Sequence, residues 1–263
     1  MVTEKWQLSN ARIVSNEWVS GDVKRITLLT PEIAQVAQPG QFVNVKVNST
    51  FAPLLRRPFS LNRIDAQLGT ISLLYKVVGE GTTLLSRAKA DEVLDILGPL
   101  GNSFEAAKDC RDSIIIAGGI GIAPFYPLSH KLLKQGQAVT CIMGARCRED
   151  INELNELRAL GVNVLCATED GSEGMRGLVT DVLRAHLRST PCSMAYSCGP
   201  NAMLSAVRAV CAQFHTPLQV SLESHMACGL GVCLGCTCRK AAEEGYVHVC
   251  KEGPIFWAEE VGV

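Results

Sequence analysis

Five of the chain's 12 cysteines fall between Cys228 and Cys250, and their spacing is the feature of the sequence best suited to chemistry. Cys228, Cys233 and Cys236 follow C-x4-C-x2-C, the spacing of a plant-type [2Fe–2S] site. Two irons require four thiolates, and the loop must wrap them with its amides facing sulfur. Gly229, Gly231 and Gly235 permit the tight or positive-φ backbone this demands. Cys250 returns across a gap of 13 residues and is expected as the fourth ligand. Cys238 stands only two residues from Cys236, where both thiolates would crowd one short strand, and is expected as a packed free thiol. Structural zinc is the alternative reading. Zinc usually collects ligands as two short-spaced pairs, whereas here three share one loop and the fourth is alone. His225 and His248 are read as ordinary neighbours of the cluster.

Three further segments could hold a dinucleotide. In Arg57-Pro58-Phe59-Ser60 a guanidinium can pair with a pyrophosphate, an aromatic can cover a ring and a hydroxyl can reach a ring nitrogen. Taken alone, the tetrapeptide is equally a surface arginine beside a core phenylalanine. Val78-Gly79-Glu80-Gly81-Thr82-Thr83 reads as a glycine turn into a helix with Thr82 near the N-cap, which suits a phosphate or simply a capped helix. Together the two favour a bound dinucleotide. Gly118-Gly119-Ile120-Gly121-Ile122-Ala123-Pro124 follows an apolar run and opens a helix, with Pro124 where the third glycine of G-x-G-x-x-G would stand. Cys198-Gly199-Pro200 repeats that strand–loop–helix arrangement. Cys198 either lines a nicotinamide pocket or is a small residue at a crowded turn.

The elements that must position these residues fall into three zones. Residues 1–108 hold short β-like runs at 23–29, 41–47, 69–77 and 92–97, which suggests a small antiparallel β-barrel. Residues 109–217 alternate strand and helix. Strands are expected at 114–117, 138–143, 162–167 and 193–197, and helices at 124–135, 151–160, 179–187 and 201–213. That rhythm means an α/β domain with a parallel sheet covered on both faces. Residues 218–263 are glycine- and cysteine-rich and too short for a large core of their own. The fold class is therefore α+β multidomain. Seven cysteines scattered singly from Cys110 to Cys211 are read as small buried hydrophobes.

With 263 residues, 47% hydrophobic and 19% charged, the chain can bury a sizeable core, which excludes wholesale disorder. A formal charge of −1 gives no electrostatic reason to expect nucleic acid or an anionic membrane as partner. The first ten residues lack an apolar signal core, and the apolar stretch 114–128 is broken by three glycines and two prolines. A soluble, cytoplasmic protein is expected.

Arg57-Pro58-Phe59-Ser60, Gly119-x-Gly121-x-x-Pro124 and Cys198-Gly199-Pro200, in that order, resemble the ferredoxin–NADP reductase superfamily. With the C-terminal cysteines and Cys250-Lys251-Glu252-Gly253-Pro254, essentially the whole chain resembles the electron-transfer subunits of two-subunit, NAD-linked dihydroorotate dehydrogenases. The resemblance implies FAD held by Arg57, Pro58, Phe59, Ser60, Leu74, Tyr75, Lys76, Gly81 and Thr82. It implies NAD near Gly119, Gly121, Pro124, Cys198, Gly199 and Pro200, and a [2Fe–2S] cluster on Cys228, Cys233, Cys236 and Cys250. Phe59 stands where many members have tyrosine, so stacking persists without a phenolic hydrogen bond. The resemblance also implies a partner subunit with FMN, in a heterotetramer, that oxidises dihydroorotate in pyrimidine synthesis. Nicotinamide takes two electrons at once, a [2Fe–2S] cluster passes one, and flavin does both, so FAD belongs between them. A small subunit of another redox complex, a self-sufficient reductase and a zinc-stabilised binding module are the competing readings. Arg146 and Arg148 could favour NADP, but Glu149 and Asp150 lie alongside; resemblance favours NAD.

Overall fold

A computed structural model describes residues 6–48, 52–106, 110–241 and 244–262. The expected boundary between residues 108 and 109 lies outside the described residues.

Six strands close an antiparallel barrel: β1 (Gln7–Ser20), β2 (Val23–Leu29), β3 (Phe42–Val45), β4 (Arg57–Asp65), β5 (Thr70–Lys76) and β6 (Val93–Leu100). They run β1-β2-β5-β4-β3-β6, with β6 pairing back to β1, so no edge is left open. Period-two alternation fills the interior. Ile26 and Leu28 of β2, Val43 and Val45 of β3, and Ile71, Leu73 and Tyr75 of β5 point inward. Two short helices, α1 (Pro31–Ala34) and α2 (Glu80–Ser86), lie between strands.

The second layer is a twisted sheet built on β7 (Asp112–Gly118), β8 (Ala138–Ala145), β9 (Asn163–Thr168), β10 (Met175–Arg176), β11 (Met194–Cys198) and β12 (Leu218–Ser221). On β7, Ile114 and Ile116 enter one core while Ile115 and Ala117 enter the other, which is why this run is apolar without alternation. Helices α3 (Phe125–Lys134) and α4 (Leu154–Leu160) cover one face; α5 (Val179–Ser189) and α6 (Asn201–Gln213) cover the other. The order β10-β9-β8-β7-β11-β12 reverses direction between β7 and β11. That reversal opens a crevice at the strands' carboxyl ends.

The C-terminal segment is stitched into this frame rather than appended to it. A hairpin of β13 (Thr237–Arg239) and β14 (Tyr246–His248) follows the cysteine loop. β15 (Ile255–Trp257) then adds antiparallel to β12, so the sheet continues past residue 217. Asn102, just after β6, donates to the carbonyls of Glu252 and Ile255, both at 2.8 Å, and accepts from the Ile255 amide at 2.9 Å.

The barrel and the sheet are also clamped from the opposite side. Glu153 has a fully buried side chain and forms ion pairs with Arg25 of β2 and Arg63 of β4. Its backbone is left-handed, φ 68°, so the helix expected over 151–160 begins only at Leu154. Turning this residue out of the helix lets its carboxylate reach the barrel. The Arg63 guanidinium in turn stacks on Tyr126 of α3, 3.3 Å from the ring centroid.

Candidate functional site

The four spaced cysteines converge. Leu230 and Cys233 donate backbone N–H groups to Cys228 Sγ at 3.3 and 3.4 Å. Gly231 donates to Cys250 Sγ at 3.1 Å, and Cys250 to Cys236 Sγ at 3.4 Å. Burial pushes the Cys228 thiol up, but the amides of Leu230, Cys233 and Val232 outweigh it and bring it to about 6. Burial, then the neighbouring Cys236 thiol, pushes Cys250 up to about 12. The Cys233 side chain meets Cys228, and Cys250 lies near both Cys236 and Cys228. Among the described residues no three His, Cys, Asp or Glu side chains close on one metal-ion position. Four cysteines at one site, three of them on one loop, fit a two-iron cluster with two ligands per iron. Cys238 instead turns towards the Arg239 carbonyl at 3.5 Å. His248 pairs with Glu252 at 2.9 Å.

Beside the loop, a cavity of 260 Å³ lies between barrel and sheet. Pro58, Phe59, Ser60, Leu74, Tyr75, Lys76 and Thr82 line it. Arg57 and Gly81 stand next to it, and the Arg57 Nε lies 2.8 Å from where a Gly81 Cβ would be, so the guanidinium crosses close over the first turn of α2. Thr82 stands three residues inside α2, whose N-cap is Gly79, and its hydroxyl accepts from the Val78 and Gly79 amides at 3.0 and 3.1 Å. The Phe59 ring lies 5.6 Å from that of Tyr75. The Tyr75 hydroxyl is turned away, donating to Asn16 at 2.9 Å, and burial pushes it up to about 12.

A second cavity, 620 Å³, occupies the crevice between β7 and β11. Gly119, Gly121, Gly199 and Pro200 line it. A Cβ on Gly121 would meet the Cys198 carbonyl oxygen at 2.5 Å, so the two loops approach this closely only because residue 121 is glycine. Pro124 lines the smaller cavity instead. Cys198 lines neither cavity; its side chain is buried beneath them beside Ser221, and burial pushes its thiol well up. Arg146 lines the crevice and pairs with Asp150 at 3.1 Å, and Arg148 pairs with Glu173 at 3.7 Å, both guanidinium groups staying largely exposed.

The two cavities share Lys76, Ile120 and Glu223. Glu223 was not singled out in the sequence. Its only signal is an acid placed just after the last parallel strand, in Ser221-Leu222-Glu223-Ser224. The side chain is open to water in the cavities, yet the surrounding protein pushes its carboxyl up by desolvation.

Comparison with known proteins fits this geometry part by part. Residues 10–104 match the oxidoreductase FAD-binding domain, and residues 115–209 match the oxidoreductase NAD-binding domain. Residues 223–262 match the iron-sulfur cluster binding domain of dihydroorotate dehydrogenase B. Over 252 residues the chain is 40% identical to the dihydroorotate dehydrogenase B (NAD(+)), electron transfer subunit of Geobacillus sp. (strain WCH70), covering 95% of this chain and 96% of that one. The chain belongs to this family. A second member, from Bacillus caldolyticus, is 39% identical over 253 residues, covering 95% of this chain and 96% of that one. Among solved structures, an NADH-dependent reduced ferredoxin-NADP oxidoreductase superposes with a TM-score of 0.87 at 29% identity, covering 97% of this chain and 90% of that one. The ferredoxin reductase in carbazole 1,9a-dioxygenase shares the fold, with a TM-score of 0.71 at 22% identity and coverage of 82% and 69%. As a member of the dihydroorotate dehydrogenase B electron transfer family, the chain is an oxidoreductase subunit with FAD-, NAD- and cluster-binding domains. Among the described residues no helix is long and apolar enough to cross a membrane.

Proposed function

We propose that this chain passes electrons from an FMN-containing dihydroorotate dehydrogenase subunit, through a [2Fe–2S] cluster and FAD, to NAD+. The balance is dihydroorotate plus NAD+ giving orotate, NADH and a proton. When bound, the cluster supplies one-electron transfer and FAD converts it to hydride transfer. The observation that carries the reading is the adjacency of three sites. The flavin cavity borders the cysteine loop through Met226 and touches the nicotinamide crevice through Lys76, Ile120 and Glu223.

The residues divide the work. Cys228, Cys233, Cys236 and Cys250 ligate the cluster, and the loop's amides offset the negative charge on sulfur. Arg57 meets the FAD pyrophosphate, Phe59 covers its ring system, and Leu74, Tyr75 and Lys76 form the wall behind it. Gly119, Gly121, Gly199 and Pro200 let backbone approach NAD closely. Glu223 stands where the two cavities meet, its carboxyl raised by desolvation. Cys233, Val232 and Leu234 are exposed, and Val232 and Leu234 put two apolar side chains beside the cluster where a partner would dock. The assembly is a cytoplasmic heterotetramer.

The test is reconstitution. The chain, mixed with its FMN subunit, should give dihydroorotate-dependent NAD+ reduction that neither subunit supports alone. NAD+ reduction by the FMN subunit alone, at the rate of the mixture, would overturn the proposal.

A further inference from the structure

Asn44, on β3, is completely buried, and among the described residues neither its amide nitrogen nor its oxygen has a hydrogen-bond partner. A buried carboxamide without partners is costly and rare, so such a group points to something that completes it. Its neighbours say which way it faces. Val43 and Val45 fill the barrel interior, so Asn44, like Phe42, faces outward. Phe42 packs outside the barrel with Cys236, Cys250 and Met226. Across the ladder Asn44 pairs with Pro58, which lines the flavin cavity, and with Leu97, which packs in the same core as the cysteines. The Asn44 Nδ2 lies 2.3 Å from where a Cβ on Gly229 would be, and Gly229, at φ 73°, is the residue after Cys228. Glycine at this position lets the cluster loop close directly onto the carboxamide.

We propose that Asn44 is a positioning residue for the electron path: its Nδ2–H donates to a sulfur on the Cys228 side of the cluster. The inference rests on the four-cysteine ligand reading. Hydrogen bonds to sulfur are among the factors that set a cluster's potential. A donor placed on the barrel wall between cluster and flavin stabilises the reduced, more negative cluster on the side from which the electron leaves. Asn44 thereby raises the potential of the cluster relative to that of FAD.

The experiment compares Asn44→Leu and Asn44→Asp with the wild-type chain, each purified anaerobically in complex with its partner. Iron, sulfide and FAD contents are measured first, then the midpoint potentials of cluster and FAD and the EPR g-values of the reduced cluster. Both variants should keep iron and FAD. Asn44→Leu, which removes the donor, should show a lower cluster potential with shifted g-values. Asn44→Asp, whose buried carboxyl takes up a proton and still donates, should show a smaller drop. The FAD potential should move less. In the wild type, side-chain 15N labelling of asparagine should give a nitrogen coupling in pulsed EPR of the reduced cluster, a readout that does not depend on a variant folding. A loaded cluster with unchanged potential and g-values, or no such coupling, overturns the role of Asn44 alone. A shift confined to the FAD potential overturns it too, by placing the amide on the flavin. Wild-type protein without a [2Fe–2S] signal overturns the ligand reading, and this inference with it.

Discussion

Removing the Glu153 carboxylate should loosen the joint between barrel and sheet. Its side chain is fully buried, while Arg25 and Arg63 keep 24% and 20% of their side-chain surface exposed. Glu153→Ala therefore leaves two partly buried guanidinium groups facing each other without an anion; Glu156, 3.4 Å from Arg25, compensates only one of them. Breaking a buried pair by removing one partner costs about 3–5 kcal/mol. For a chain of this size that corresponds to a fall in Tm of about 6–20 °C. The assay is calorimetric unfolding of the FAD-loaded protein, followed by NADH-driven reduction of an artificial acceptor. The rate per bound FAD should fall as well, because the clamp fixes one wall of the nicotinamide crevice against the flavin wall. The triple variant Arg25→Met, Arg63→Met, Glu153→Leu should recover most of the stability, since it removes all three charges together. A Glu153→Ala protein within about 0.5 kcal/mol of wild type would refute the clamp.

Arg57→Ala should weaken FAD retention by about 2 kcal/mol or more, roughly 30-fold in Kd, while iron content is unchanged; equilibrium dialysis against dilute buffer checks it. Cys250→Ser should lose most iron and visible cluster absorption and uncouple dihydroorotate oxidation from NAD+ reduction. It should leave NADH-to-acceptor transfer through FAD intact, and Cys238→Ser should keep both activities. Because protein around Glu223 raises its pKa, the wild type should lose stability relative to Glu223→Gln as pH rises from about 4.5 through the raised value. Below that range the two should coincide, as denaturation of the cofactor-free protein over pH would show. Val232→Asp should weaken the complex with the partner subunit in gel filtration without changing iron or FAD content.

What was legible in the sequence was carried by local spacing. The cysteine loop, the Gly119–Gly121 turn and the apolar run of β7 each declare themselves within ten residues, because covalent geometry or a single strand fixes their role. β1 was not legible: its 14 residues include Ser9, Asn10, Ser15 and Asn16, poor strand formers that the barrel nonetheless pairs, the first two with β6 and the last two with β2. The helix expected from residue 151 starts late because Glu153 serves partners 128 and 90 residues away, on β2 and β4. Pro124 was assigned to the nicotinamide site by its place in a motif, and the loop carries it onto the smaller cavity. Asn44 and Glu223 have no motif at all. Their significance comes from what folding brings against them: the loop at Gly229 in one case, the meeting of two cavities in the other.

The central claim, that one chain joins a two-iron cluster to FAD, is tested most directly by metal, sulfide and flavin analysis of the anaerobically purified complex. The account predicts about two irons and about two acid-labile sulfides per chain, with about one FAD in addition to the partner's FMN. A colourless protein with zinc in place of iron, no sulfide and no FAD would contradict it.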